Sequence, residues 1–377
     1  MTSRERLFTV INGGIPDHVP VAPDTSNMIP ARLTGKPFWD IYLYQNPPLW
    51  KAYLDCANYF DFDSLMDNYA QINFEDLGEI DDEWKEAIVY KSDERIITQR
   101  YKKALSIYEW ANKVKVYYIA DPPSEVKPGK VRLPDIPDRY EPVEGVREWP
   151  RGEALLKIVK DTMGERGLVG VACGASTFFW NDELILDYYD NPDKYKRMSE
   201  DALIYYTKRF KRLMALEHKP DFIATGGSGT LVFQTPAVFR ELSLPIIKHI
   251  TKLCKESGIP SHIHSCGLQA ELVKIAAEET DLTIIDPLEI PPMGDCNLKE
   301  LKRLYGHKLV LKGNLHTTDV MLYGSVQDVI DASKQAIDDA AEGGRFILST
   351  GDQCGRDVPD ENIFAMIETA KTYGKYS

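Results

Sequence analysis

From residue 150 onward the chain repeats one unit, a short apolar run that ends in small or polar residues followed by a longer amphipathic stretch. The runs are Gly167–Ala172, Asp221–Ala224, Ser261–His264, Leu282–Ile285, Leu309–Leu311 and Arg345–Leu348. Helical spacing marks the intervals Asn191–Leu216, Pro236–Ser257, Leu268–Glu279 and Ser325–Glu342. Strands that alternate with helices pair in parallel through right-handed crossovers. Val19–Ala22, preceded by an expected N-terminal helix, supplies a first strand. So many βα units in one run predict an α/β fold, a closed (β/α)8 TIM barrel with an N-terminal extension and an appended β-hairpin. An open doubly wound sheet is the alternative. Gly226-Gly227-Ser228-Gly229 follows a strand but has neither dinucleotide-loop nor nucleophile-elbow spacing, and reads as a turn.

The expected organisation is one domain over 1–377, with 85–150 inserted as a hairpin and an extended connection. Ala87–Trp110 alternates β-branched or aromatic with charged residues, as a hairpin does. Asp121–Arg151 carries seven prolines, which excludes a long helix or a central strand. Composition narrows the partners. Lys and Arg number 45 against 58 Asp and Glu, a formal charge of −13. That balance argues against binding nucleic acid through phosphates or docking on an anionic membrane. No stretch approaches the ~18 apolar residues of a membrane helix, and no apolar region follows the charged Met1–Arg6. A cytoplasmic protein is expected.

In a barrel, chemistry collects where strands end. His262-Ile263-His264-Ser265-Cys266 closes one run, and alternate residues of a strand share a face, so His264 and Cys266 point together. Imidazole and thiolate suit Zn²⁺, and a catalytic zinc needs a third ligand. Cys354 follows the last run and can converge on the same mouth. A lone His-x-Cys is a weak pattern, and the plain alternative is cysteines packed in the core. His262 reads as a positioning or core residue, Cys254 as helix packing, and His18, His218, His249 and His307 as solvated. Glu289 and His316 are the expected catalytic groups and Asn314 and Asp24 the expected substrate contacts, all just past strands. Each of the four reads as well as a loop cap or salt-bridge partner.

Together these segments resemble the uroporphyrinogen decarboxylase superfamily, and within it the zinc-dependent corrinoid methyltransferases. The resemblance runs through Arg4-Glu5-Arg6, Pro16–Pro20, His264–Gly267, Leu288–Asp295, Gly313–Leu315 and Ile347–Cys354. It implies a (β/α)8 barrel with its site at the strands' C-terminal ends. The family's H-x-C-x(n)-C metal motif maps onto His264, Cys266 and Cys354. Here Asp352 and Gln353 intervene between the strand-end glycine and the last cysteine, which makes Asp352 a rival ligand. The arginine-rich N-terminal segment with which decarboxylases grip a porphyrin is replaced by Ala22–Ser26, so an octa-anionic tetrapyrrole is a poor fit.

The resemblance implies the substrate-side methyltransferase of an O-demethylase system. Such an enzyme moves a methyl group from a methoxylated compound, often an aryl methyl ether, to the Co(I) of a cobamide. D-x-H-x-x-G occurs at none of the seven histidines, so the cobamide must come on a separate corrinoid protein. The alternatives are a methylcobamide:thiol (coenzyme M-type) methyltransferase and a barrel of this superfamily without metal catalysis.

Overall fold

A computed structural model describes residues 1–67, 72–104, 107–174 and 178–376. They form two compact units: Met1–Thr25, Ala57–Gln71 and Leu156–Ser377 make one, Ser26–Cys56 and Ile72–Leu155 the other. In chain order the strands are β1 (Ser64–Met66), β2 (Lys85–Lys91), β3 (Arg95–Ala104), β4 (Ile107–Tyr118), β5 (Ser124–Val126) and β6 (Glu141–Pro142). They continue with β7 (Gly167–Ala172), β8 (Phe222–Ala224), β9 (Ser261–His264), β10 (Ile284–Asp286), β11 (Val310–Leu315) and β12 (Phe346–Thr350).

The first unit holds a parallel sheet in the order β1-β7-β8-β9-β10-β11-β12. Pro20–Ala22 closes it. On one side the Ala22 N–H donates to Leu348 O at 2.9 Å and the Leu348 N–H to Pro20 O at 2.9 Å. On the other, the Asp63 N–H donates to Val21 O at 2.8 Å, just before β1. The segment expected as a first strand is therefore an eighth stave, reduced to one parallel bridge between Val21 and Leu348.

Side-chain alternation stacks the interior in layers. At the bottom Leu65, Leu168, Phe222, Ile284, Val310 and Ile347 pack with Leu7, Val10 and Ile11 of the helix Ser3–Ile11, which plugs that end. Gly170 leaves room for the Phe222 ring, which a Cβ there would meet at 2.4 Å. Two residues further along β10 and β11, the same faces carry Asp286 and Lys312 in place of the hydrophobic set, while β9 presents His262 and then His264 on that face. The barrel is dry below and charged above.

An ion pair also pins the lower end. Arg4 donates to both oxygens of Asp221 at 2.6 and 3.0 Å, and Lys160 lies 2.9 Å away. Burial alone would raise the Asp221 pKa; Arg4, the Val169 N–H and Lys160 outweigh it and hold the carboxyl below its usual range. A lowered folded-state pKa means the stabilisation is whole above the unfolded value of about 3.9 and fades as pH falls through the folded one. Asp221→Asn is therefore expected to lose about 2 kcal/mol at pH 7. Urea denaturation should show the gap to wild type narrowing as pH falls below about 4; a gap of equal size at pH 7 and at the lowest pH reached would refute this account.

Two expectations are corrected. Pro236–Ser257 is two helices, Pro236–Leu242 and Leu244–Glu256, because Pro245 restarts the helix in its own first turn. His18 is buried rather than solvated, with Nδ1 2.9 Å from Val19 O.

In the second unit, the region expected as a hairpin is a five-stranded antiparallel sheet in the order β5-β4-β3-β2-β6. The alternation that predicted β2 and β3 continues through β4 to Tyr118, and two short strands flank the set. Pro142 sits on an edge strand, where a missing N–H costs no ladder bond. Among the described residues no helix is long and apolar enough to cross a membrane.

Candidate metal centre at the barrel mouth

β9 and β10 run in register with His264 beside Asp286, and both side chains point inward. His264 Nδ1 lies 3.1 Å from Asp286 Oδ1. Its other nitrogen, Nε2, is screened from solvent and has no hydrogen-bond partner. Asp352 Oδ1 stands 3.5 Å from Nε2, too far for a well-formed bond. Among the described residues, Asp24, His264 and Asp352 each offer a ligand atom, and these atoms lie within 4.8 Å of one another.

Backbone contacts hold the two carboxylates there. The Asp24 N–H donates to Thr350 Oγ1 at 3.0 Å, and Asp24 O accepts from the Cys354 N–H at 2.9 Å. Asp352 has φ 152°, a setting L residues seldom adopt, on a loop pinned by the Gly351 N–H to Leu315 O at 2.6 Å. Asp24 was expected to touch substrate; it stands in the ligand-capable group.

The expected sulfur ligands lie beside this group without joining it. Cys266 interacts with the His264 ring. Cys354 is fully buried; burial first, then Asp24 and Asp352, push its thiol pKa up. A thiol so protected is a poor donor until a cation displaces its proton. The triad supplies the same two negative charges that two thiolates would have supplied.

Beside His264 lies a buried charge network. Asp286 Oδ1 also lies 3.0 Å from His262 Nε2, and Lys312 Nζ donates to Asp286 Oδ2. Burial would raise the Asp286 pKa, but Lys312, His262 and His264 hold it well below the carboxylate range. Burial opposes the charge on Lys312, and Asp286, Asp24 and Asp67 outweigh it. Burial likewise opposes charge on His264, and Asp286, Asp352 and Cys266 raise its pKa well above the usual imidazole value. Three carboxylates (Asp24, Asp286, Asp352) thus surround one imidazole, and Lys312 offsets one of them. Once a cation displaces the extra proton of that ring, two negative charges face it. Donor chemistry, an Nε2 without a well-formed bond and this charge count fit a metal ion.

Glu289, 5 % exposed, accepts from the Gly267 N–H. Burial, with Asp352 adding, raises its pKa despite that bond. Gly294 lets the loop fold over it, since a Cβ there would meet Glu289 O at 2.4 Å. His316 caps the turn Thr317–Leu322: its Nδ1 accepts from Asp319 N–H at 2.9 Å and Thr318 N–H at 3.3 Å. An accepting Nδ1 assigns the proton of the neutral ring to Nε2, which has no partner. Asn314, 8 % exposed, and His316 border a cavity of about 420 Å³ with Ile290, Leu298 and Ala336. Sequence reasoning missed Asp286 and Lys312.

Residues 221–373 match the family of uroporphyrinogen decarboxylase (URO-D). No curated protein sequence matches the chain. Among solved structures, a methyltransferase from Methanosarcina mazei superposes over 99% of both chains with TM-score 0.61 and 16% identity, a likeness of fold. A B12-independent methionine synthase from Shewanella sp. W3-18-1 in complex with selenomethionine aligns over 63% of this chain and 72% of its own, at 13% identity and TM-score 0.34.

Proposed function

From a chain whose residues 221–373 match the uroporphyrinogen decarboxylase family, we propose a zinc-dependent methyltransferase that takes the methyl group of a methoxylated, aryl ether-type substrate. The acceptor is the reduced corrinoid of a separate partner protein. The observation that carries this reading is His264 Nε2: shielded, without a well-formed hydrogen bond, and grouped with Asp24 and Asp352. Those three residues would hold the ion, with Cys266 and Cys354 as the sulfur donors nearest at hand. When bound, zinc supplies Lewis acidity to an ether oxygen, whose leaving ability limits such a cleavage.

The remaining work falls to the chain's own groups. As the methyl–oxygen bond breaks, its electron pair stays on oxygen. Glu289, whose ionisation is opposed by burial and by Asp352, is the group we assign to face that oxygen. His316 offers Nε2–H and Asn314 its amide to orient the substrate. Asp24 at the mouth disfavours a polycarboxylate porphyrin on the same charge grounds that left the sequence without an arginine clamp.

Elemental analysis of purified protein should find about one zinc per chain. Reduced corrinoid protein mixed with the enzyme and a panel of methoxyarenes should give the methyl-cobalamin absorbance. A well-folded, metal-free protein would favour a barrel without metal catalysis. Silence on every methoxylated substrate, with methyl transfer from methyl-corrinoid to a thiol, would replace this reading with thiol methylation.

A further inference from the structure

Resting on the metal reading above, we infer that Asp286 is a positioning residue that fixes how His264 meets the ion, and that Lys312 anchors Asp286 through its other oxygen. Asp286 is 1 % exposed and lies in register with His264 on the neighbouring strand. Its two oxygens divide the task. Oδ1 faces both imidazoles, His264 Nδ1 at 3.1 Å and His262 Nε2 at 3.0 Å, while Oδ2 receives the Lys312 ammonium. An acceptor-only carboxylate needs a proton on each nitrogen that faces it. His264 therefore carries hydrogen on Nδ1 and directs Nε2 to Asp24 and Asp352.

The ring cannot rotate about this arrangement without giving up that bond inside a low-dielectric interior, where an unpaired buried group is costly. A carboxylate behind a ligating imidazole also makes the nitrogen in front a stronger donor. Lys312 completes the set, because its bond to Oδ2 leaves Oδ1 turned to the two rings. All four side chains project from adjoining strands, β9, β10 and β11, so the geometry is set by the barrel itself rather than by a loop.

Two measurements test this. The variant Asp286→Asn/Lys312→Met removes both buried charges together and so avoids stranding either. Zinc affinity, read by competition with a chromophoric chelator, is expected to fall about 10- to 100-fold, with unfolding temperature recorded alongside. In zinc-loaded wild type, ¹⁵N shifts of the His264 side chain should report a proton on Nδ1 and the metal on Nε2. A folded double variant with unchanged affinity, or wild type with zinc on Nδ1, overturns the inference and leaves the metal reading intact. Wild type that binds no divalent metal overturns both. Should the variant fail to fold, the ¹⁵N assignment alone decides.

Discussion

His264→Ala is expected to strip the protein of metal and to reduce methyl transfer by about a thousand-fold, the equivalent of about 4 kcal/mol. His264 is the one residue shared by both donor sets: it stands with Asp24 and Asp352, and its ring touches Cys266. No other change removes the ion under either arrangement. The companion variants then separate the two. If carboxylates hold zinc, Asp352→Ala and Asp24→Ala lose it while Cys354→Ser keeps it. If sulfur holds it, Cys266→Ser and Cys354→Ser lose it and Asp352→Ala does not. Elemental analysis after gel filtration reads all five proteins at once. Full metal content in a folded His264→Ala protein would remove the basis of the proposed chemistry.

The largest stability effect is expected at Lys312. Lys312→Met leaves the carboxylate of Asp286 buried with its cation gone, and breaking a buried pair from one side costs about 3–5 kcal/mol. The loss should be much smaller in Asp286→Leu/Lys312→Met, where no charge is left behind. Chemical denaturation of the single and double variants measures both. A Lys312→Met protein within about 1 kcal/mol of wild type would mean that water reaches this layer.

The apolar runs were legible because the bottom layer of the barrel is hydrophobic on consecutive strands, and that regularity is what periodicity detects. The charged middle layer broke the same signal. Lys312, inside Leu309–Leu315, reads from sequence as a solvent-facing interruption. Only its spacing of two from Asn314 hinted that it points inward. Asp286 was visible as a polar strand end but not as the partner of two histidines, since its neighbours come from β9 and β11 by register. Asp352 was legible as a rival ligand because it displaces the cysteine from the strand-end glycine. The approach of Asp24 was not, because it depends on residues more than three hundred positions apart meeting through Thr350 and Cys354.

The closure of the ring by Pro20–Ala22 against Leu348 has a consequence for biosynthesis. During translation this stave is made more than three hundred residues before the strand that becomes its second neighbour. Asp24 travels with that waiting segment and Asp352 is made after β12, so a nascent chain stalled before the final strand would lack the proposed pocket. Metal capture of the kind proposed would then be reserved for polypeptides whose synthesis has run past that strand.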